Sequence, residues 1–405
     1  MLPAKPPCCA KAPISFSATS RRLEMVGRWL PPTLLSLIPL VIATSVQAQQ
    51  SPDAGPISIE GNVTIDVLSN LRGGNKEGTR TLNNVSVQVN YDGATHGLRG
   101  IKASIGGLYY GNKSFSGDLV GDLQGVSNIE TGTEALRPYE VWIAKEFGEE
   151  GSYLKVGLVD LNGTFDVPGS SALLLNASHG IVPTFAQSGL NGPSIFPTLG
   201  WALVGEVALN PNLKLRAGVF DPVPGDTLKP DRTDLIWHKD DGVLSVLEIE
   251  QQGKAWRWAL GGWAYSQASI DSLARFQSGN SGFYGAVEYY LDNATSAFLR
   301  AGTAKTDFNA VDRYVGAGLV WTGPLEGRTE DQFGIALAHV RTTPIARLVG
   351  LSHAETTIEM TYAAPIVGGF SLQGDVQYVV DPGNNQSTKD DLVAGLRLSW
   401  AFGGD

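Results

Sequence analysis

Apolar and polar residues alternate along most of the chain after residue 56. The stretch ISIEGNVTIDVL (57–68) carries its Ile and Val residues on one face and Ser, Glu, Asn, Thr and Asp on the other. The stretches NVSVQVNY (84–91) and LKLRAGVF (213–220) repeat the pattern. A period of two predicts β-strands with one apolar and one polar face.

The same rule predicts about sixteen strands over the chain. Their typical length of about 9–12 residues matches a tilted strand that spans a bilayer, and it exceeds the ~5–6 residues usual in globular proteins. An even number of strands is typical of bacterial barrels. The predicted strands are 57–68, 83–92, 98–110, 137–147, 152–160, 198–209, 213–221, 242–251, 255–267, 281–291, 296–306, 313–322, 331–342, 355–363, 370–380 and 392–402.

The connections between these strands alternate in length. Those after even-numbered strands are short, for example GATH (93–96) and GEEG (148–151). One rim of short turns and one rim of long loops predicts an all-β fold, a transmembrane antiparallel β-barrel with short periplasmic turns and long extracellular loops. The predicted long loops are 69–82, 111–136, 161–197, 222–241, 268–280, 343–354 and 381–391, while a short 307–312 and a longer 323–330 depart from the rule.

Aromatic residues gather near the ends of the predicted strands, as in the interfacial girdles of transmembrane barrels. A secreted, lectin-like β-sandwich is the alternative fold. It would also alternate, but with shorter strands and with its aromatic residues buried on the apolar face. The aromatic residues at strand ends are Tyr91, Tyr109, Tyr110, Tyr139, Phe147, Trp201, Trp321, Tyr362, Trp400 and Phe402.

The N-terminal 48 residues have the order of a secretory signal. After Met25 come a basic residue, Arg28, an apolar run over 34–43 and the sequence VQA (46–48). This order predicts a Sec signal peptide cleaved after Ala48, with Met25 as the true start, and a single barrel domain over residues 49–405. Both cysteines of the chain lie in this leader, so the exported chain is expected to have neither disulfides nor thiolate metal sites.

The net charge of the chain and the strand face on which each polar residue lies limit the partners that it can bind. The chain has 30 basic and 40 acidic residues, and without the leader 25 and 39 remain, a net charge of −14, so nucleic acid is not an expected partner. The polar strand faces should line a lumen, where charges of both signs and aromatic rings suit sugar hydroxyls and ring faces. Simple hydration of a channel is the plainer alternative. The inward set includes Glu60, Asp66, Lys102, Glu140, Trp142, Lys155, Lys214, Arg216 and Arg257.

Catalytic and metal-binding patterns are weak. Glu248 and Glu250 share a strand face, as the two carboxylates of a glycosidase could, but nothing separates an acid environment from a base environment. Ser178 and His179 are adjacent and have no identifiable orienting partner. The five histidines are scattered, and the acids of GDLVGDLQGVSNIE (117–130) lack the spacing of a calcium loop. No enzyme activity, catalytic residue, metal or cofactor is therefore predicted.

Several long blocks resemble the carbohydrate-selective porins of the OprB type, and together they cover nearly all of the chain after the leader. The resemblance implies a sixteen-stranded outer-membrane barrel, narrowed by inserted loops, through which monosaccharides such as glucose diffuse inward without energy coupling. A general-diffusion porin that filters by size or charge is the alternative function. The blocks are 117–130, LRPYEVWI (136–143), LKVGLVDLNGTFDV (154–167), 173–197, LKLRAGVFDPVPGD (213–226), FGIALAHVR (333–341), ETTIEMTY (355–362), LQGDVQYVVDPG (372–383) and LVAGLRLSWAF (392–402).

The resemblance also implies where the selective residues lie. It points to Glu140 and Trp142, and to the constriction candidates His179, Phe185, Gln187, Asn191 and Phe196 in the 161–197 loop; face assignment adds Lys155 and Arg216. The apolar stretch HGIVPTFAQSGLNGPSIFP (179–197) is expected to fold into the barrel, with Phe185, Ile195 and Phe196 on the wall, because lipid does not tolerate exposed irregular backbone.

Partners follow from the same expectations. They are glucose-like monosaccharides, outer-membrane lipid and the barrel assembly machinery, and a homotrimer is expected by analogy with large porins, with 111–136 as a candidate contact to a neighbour. Two features depart from the family. The chain continues with GGD (403–405) after Phe402, where its last predicted strand ends, instead of ending on an aromatic residue, and residues 49–57 are expected to leave no room for an N-terminal coiled segment.

Overall fold

The structure is a computed structural model that describes residues 55–403, apart from 112, 149, 227, 271–275, 384 and 386, with backbone only at 268–270 and 276–278. The predicted signal peptide, the start at Met25 and the cleavage after Ala48 lie outside the described residues.

Nearly all of the described chain is β-strand. The strands are β1 (Ile57–Gly74), β2 (Gly78–Asp92), β3 (Ile101–Gly111), β4 (Glu134–Pro138), β5 (Val141–Phe147), β6 (Ser152–Leu158), β7 (Trp201–Asn210), β8 (Leu213–Phe220), β9 (Leu244–Gln252), β10 (Trp256–Tyr265), β11 (Ala268–Ile270), β12 (Phe276–Ser278), β13 (Ser281–Tyr290), β14 (Thr295–Ala304), β15 (Val311–Thr322), β16 (Gln332–Thr342), β17 (Ala354–Pro365), β18 (Phe370–Val380) and β19 (Lys389–Gly403). Two short helices, α1 (Pro183–Ala186) and α2 (Pro344–Leu348), lie in connections. No helix among the described residues is both long and apolar enough to cross a membrane.

The strands close into one antiparallel barrel. Each strand pairs with its neighbours in sequence, and β1 pairs with both β2 and β19, which closes the sheet. Strands β4 and β5 both pair with β3 and form one interrupted barrel strand, while β11 and β12 form a separate hairpin. The barrel therefore has sixteen strand positions, each of which overlaps one predicted strand, and the predicted fold is confirmed.

Two predicted loops are more ordered than expected. Strands β1 and β2 run on into 69–82 and pair as far as Asn70 with Gly78, leaving only 75–77 as the turn. The extension SNLRGG (69–74) carries polar residues and glycines on both faces, so the period-two signal is lost although the backbone still pairs with β19. The connection 268–280 likewise contains the β11–β12 hairpin.

Burial along the strands is inverted relative to a soluble protein. Outward residues are large, apolar and exposed, such as Ile105 at 67% and Phe283 at 71%, whereas inward residues such as Asp66 and Glu359 are charged and fully buried. A soluble sandwich would bury the apolar face, so this inversion is the pattern of a wall between lipid and a polar interior.

The aromatic girdle is present in part. Phe147 and Tyr289 are exposed on the outer face, and Phe370 stacks on Trp400 with ring centroids 5.5 Å apart. Tyr110 does not belong to the girdle, because it points inward and is fully buried. Tyr139 also leaves the girdle: its hydroxyl donates to Asp160.

Two long connections pack against the inner wall. The first inserted segment (113–133) buries Phe115, Leu119 and Val126 against β1, β2, β18 and β19. The second inserted segment (159–200) buries Leu161, Phe165 and other residues against β7–β10 and β13–β16. The first segment thus packs on the wall of its own barrel, and the contact to a neighbouring subunit that the sequence suggested for 111–136 stays a prediction. The apolar core of the molecule lies between these segments and the wall.

An ion pair lies at the seam where the barrel closes. Asp66 of β1 stands opposite Arg397 of β19, and both carboxylate oxygens accept from the guanidinium at 2.7 and 2.8 Å. Ser127 of the first inserted segment donates to the same carboxylate at 2.7 Å, and Arg397 donates to Asn128 at 2.8 Å. The seam therefore also holds the first inserted segment in place.

Candidate functional site

A β-bulge in the barrel wall turns several of the predicted site residues toward the barrel interior. Register pairs Gly107 with Pro138 and Ser104 with Trp142, so three residues of the wall strand, 139–141, lie opposite two residues of β3. Glu140 takes a left-handed backbone angle, φ 55°. The extra residue reverses the alternation, so side chains on both sides of the break turn inward, as bulges commonly do beside functional sites.

The bulge residues converge on the start of the second inserted segment. The Asp160 backbone N–H donates to the Glu140 carboxylate at 2.8 Å, and the Tyr139 hydroxyl donates to the Asp160 carboxylate at 2.5 Å. Beside them, the Lys155 ammonium lies 4.5 Å from the ring centroid of Trp142 and 5.6 Å from that of Tyr153. The structure thus brings Glu140, Trp142 and Lys155 together, while their role in binding a solute stays a prediction.

Wall glutamates hold the backbone of the inserted segments. Along the second segment, Glu248 of β9 accepts from the Asp166 N–H at 2.8 Å, Glu288 of β13 accepts from the Ser170 N–H at 2.6 Å, and Glu359 of β17 accepts from the N–H groups of 175 and 176. Glu355 of β17 accepts from the N–H groups of 123 and 124 in the first segment. These carboxylates satisfy irregular backbone that no strand pairs with.

Arg300 of β14 gathers oxygen atoms of the second inserted segment. Its guanidinium donates to the Asp166 carboxylate at 2.6 Å, to the Asp166 carbonyl at 3.0 Å, to the Gly180 carbonyl at 3.1 Å and to the carbonyl of His179. Both Arg300 and Asp166 are almost wholly buried. One arginine therefore ties two distant turns of the segment to the wall.

His179 and Phe185 are packing residues of this segment. Phe185 is fully buried, stacked on Trp263 with centroids 5.1 Å apart and on Tyr284 at 5.8 Å. His179 is fully buried edge-on to Phe298, and among the described residues neither ring nitrogen has a hydrogen-bond partner. Burial and the neighbouring arginine lower the pKa of His179 to about 3, so its imidazole is neutral. The expected wall packing of Phe185 is thus seen.

A polar cavity of about 270 Å³ lies between the two inserted segments. Its volume is near the lower end of the ~300–1,000 Å³ typical of small-molecule pockets. The wall of the cavity is mixed, with amides and carboxylates beside aliphatic and aromatic side chains. Its polar lining residues are Gln124, Ser127, Asn128, Glu130, Asp160, Asn162, Ser178 and Gln187, and its larger apolar ones are Leu123, Ile181, Ile195 and Phe196. We call it the central cavity.

Two further cavities flank it. A cavity of about 240 Å³, the outer cavity, lies near the long-loop rim and shares Ala186, Ile195 and Phe196 with the central cavity. A cavity of about 370 Å³, the lower cavity, lies near the short-turn rim and is lined by Arg216, Arg257 and several carboxylates. A larger apolar groove of about 680 Å³ lies on the outward face of β8–β13, away from the polar interior.

The remaining predicted residues divide among these cavities. Gln187 lines the central cavity and donates to the Leu123 carbonyl at 2.7 Å, which joins the two inserted segments. Asn191 lines the outer cavity and donates to the Pro224 carbonyl at 2.5 Å. Phe196 lines both, with its ring centroid 6.3 Å from that of Tyr110.

Arg216 is the centre of an ion-pair network in the lower cavity. It donates to Glu206 at 2.6 Å, to Glu248 at 2.7 Å and to Glu250 at 3.2 Å, while Arg257 pairs with Glu250 at 2.7 Å. The two carboxylates considered as a glycosidase pair are thus bridged by one arginine. The Ser178 hydroxyl donates to Asn176 at 2.6 Å rather than to a histidine.

Metal-ligand geometry is absent from the part of the chain that the structure describes: no three His, Cys, Asp or Glu side chains there converge on a common point. Glu130 instead accepts from the N–H groups of 115 and 116. Asp122 accepts from the Gly125 N–H at 2.6 Å, and burial together with Glu130 raises its pKa to about 6. The acids of 117–130 thus act as turn acceptors.

Sequence reasoning missed most of the central cavity. Asp160 and Asn162 follow the end of β6 in VDLNG (159–163), where Asp, Asn and Gly together signal a turn with side-chain oxygens free to point inward. Ser127 and Asn128 lie in the block 117–130, which the sequence analysis considered for its acids and its resemblance but not for these two side chains. The wall glutamates carry no local signal, because their partners are backbone N–H groups distant in sequence.

The chain is similar to known porins in sequence and in fold. A family model described as "Carbohydrate-selective porin, OprB family" matches residues 76–402. Porin B of Pseudomonas aeruginosa is 25% identical over 113 residues, covering 23% of this chain and 25% of that protein, so the match spans about a quarter of that relative. Among solved structures, the high-pH structure of Pseudomonas putida OprB has a TM-score of 0.78 at 16% identity, covering 86% of this chain and 94% of that one. The outer membrane channel DcaP of Acinetobacter baumannii has a TM-score of 0.56 at 11% identity, covering 85% and 97%. Both structures share the barrel fold.

Proposed function

Because the chain belongs to the OprB family of carbohydrate-selective porins, an outer-membrane family, we propose that it lets monosaccharides such as glucose diffuse passively through its barrel, past a constriction built by residues 161–197. The observation that carries the proposal is the polar central cavity between two inserted segments. A general-diffusion pore has no need of a small cavity lined on opposite sides by ordered loops.

The proposed path runs through the three cavities in order. A solute enters the outer cavity among the long loops, passes Ile195 and Phe196 into the central cavity, and leaves by the lower cavity near the short turns. Strand β6 follows the second half of this route, since Asp160 beyond its end lines the central cavity and Tyr153 near its start lines the lower one.

The lining of the path suits a sugar. Carboxylate and amide oxygens of Asp160, Asn162 and Gln187 can accept from hydroxyl groups, while the ring of Phe196 offers an apolar face for sugar C–H groups. Trp142 and Lys155, stacked on one another, would supply the next such face. The path would therefore offer alternating polar and apolar contacts.

Different roles follow for the other predicted residues. We assign Glu140 to positioning the start of the second segment and Arg216 to fixing the field of the lower cavity. His179 and Phe185 line none of the four cavities described above and would act by holding the constriction segment in place. The solute contacts are then left to residues with exposed polar atoms.

Liposome swelling tests the proposal. Liposomes containing the protein should swell faster in glucose than in an amino acid of equal size, and Phe196→Ala should reduce that preference while raising both rates. Phe283→Ala removes the same side chain from the lipid-facing surface and should leave the preference unchanged. Equal rates for both solutes through the wild-type protein would instead indicate a general-diffusion porin.

A further inference from the structure

The charged groups that line the central cavity are all of one sign. Glu130 and Asp160 are its only charged lining residues, and both are carboxylic acids. Glu130 accepts from the Ser114 hydroxyl at 2.7 Å and from backbone N–H groups at 2.8 and 3.0 Å.

Some of the neutral lining groups add to the acceptors. Two lining amides donate within the protein, since Gln187 donates to the Leu123 carbonyl and Asn162 donates to the Asp166 carbonyl at 3.0 Å. Asn128 differs, because its side-chain oxygen already accepts from Arg397 at 2.8 Å. Gln124 is 4% exposed, and its side-chain oxygen has no hydrogen-bond partner among the described residues. The cavity thus presents acceptors in excess of donors.

Neighbouring cations are not lining residues and have partners of their own. Arg397 lies behind Asn128 and is held by both oxygens of Asp66. Lys155 is stacked on Trp142. Arg397 is thus neutralised by Asp66, whereas Lys155 lies outside the lining but carries a positive charge that acts on the Asp160 carboxyl group.

The lower cavity does not share this excess. Its lining includes three glutamates and two arginines, and Lys214 pairs with one of these glutamates, Glu206, at 2.9 Å. Arg216 and Arg257 are both engaged by Glu250 and its neighbours. A solute therefore meets an excess of acids in the central cavity and not in the lower one.

Resting on the proposed sugar path, we propose that this path selects by charge as well as by shape, favouring protonated amino sugars over neutral sugars and rejecting sugar acids. An ammonium group adds donors that the excess acceptors of the cavity can bind, whereas a carboxylate would face acceptors and like charge. Clefts lined by charge of one sign change entry rates by about tenfold or more.

Swelling rates in glucosamine, glucose and glucuronate test the inference, because the three solutes share a ring and differ in charge. We expect the order glucosamine, glucose, glucuronate, with about tenfold between the extremes at low salt, and a smaller ratio at high salt. A zero-current potential in a KCl gradient should report higher permeability to K⁺ than to Cl⁻. Equal rates for glucosamine and glucuronate, with glucose still preferred over an amino acid of equal size, would overturn the inference and leave the sugar path standing.

Substitutions locate the effect. Gln187→Lys places a positive charge in the central cavity while keeping a donor toward Leu123, and it should reverse the order of the charged sugars; Gln187→Met is its neutral match. Asp160→Asn should reduce the ratio, and Glu326→Gln makes the same charge change in an exposed turn and should not. An unchanged ratio in a folded Gln187→Lys protein would contradict the proposal even if the Asp160 variant fails to assemble.

Discussion

Replacing Arg300 with methionine should release the second inserted segment from the barrel wall. The guanidinium is buried and serves the Asp166 carboxylate together with three backbone carbonyl groups. Methionine fills a similar volume but leaves that carboxylate and those carbonyls buried without a donor. Removing one partner of a buried ion pair costs about 3–5 kcal/mol, which shifts the docking equilibrium of the segment by about two to nearly four orders of magnitude.

Single-channel recording measures this release. The Arg300→Met channel should show a larger and noisier conductance than the wild type, because the undocked segment no longer fills its side of the lumen. Arg328→Met is the control, since Arg328 is half exposed in a turn and its pair with Asp331 is a surface ion pair, which adds little to stability. A folded Arg300→Met barrel with wild-type conductance and noise would refute the reasoning.

Two further predictions concern acid and the bulge. Burial lowers the pKa of His179 to about 3, so the undocked segment binds a proton below pH ~6.5 while the docked segment does not. Docking of the segment should therefore weaken by about 2 kcal/mol at pH 5. The weakening should appear as conductance noise at pH 5, which His179→Leu should abolish and the exposed control His339→Asn should keep. Gly157→Ala should lower the melting temperature of the protein and its preference for glucose. The backbone angle φ of Gly157 is 147°, and an added Cβ would meet the Val141 carbonyl and, at 2.6 Å, the Trp142 Cα. The resulting backbone strain is about 1–3 kcal/mol. Gly205→Ala is the control and should change neither quantity, because the nearest atoms to its added Cβ lie 3.6 Å away or more. Equal effects of the two substitutions would contradict the role given to the bulge.

Strand positions were predictable because period-two alternation is a local signal. The outward apolar face is continuous in β1 and in β8, and both strands appear where the alternation placed them. The expectation that side chains pointing into the barrel are polar was wrong near the long-loop rim. Phe220 and Trp263 face inward and are buried there, because the second inserted segment covers that part of the wall with apolar side chains.

The site was less predictable, for reasons that are also physical. The bulge at Glu140 changes the direction of neighbouring side chains without any change in composition, so Tyr139 was placed in the girdle. Phe185 was correctly expected on the wall. The contacts that hold the inserted segments join residues far apart in the chain, as Glu359 does with the N–H of Leu175, and a single sequence does not encode such partners locally.

The most direct test of the account is a glucose titration of the single-channel current through the wild-type barrel. A sugar that occupies the central cavity must interrupt the ion path, so the current should fall along a saturating curve, with faster unblocking in Phe196→Ala. A current that falls only in proportion to the viscosity of the solution, with no saturation, would contradict a sugar-selective path through this cavity.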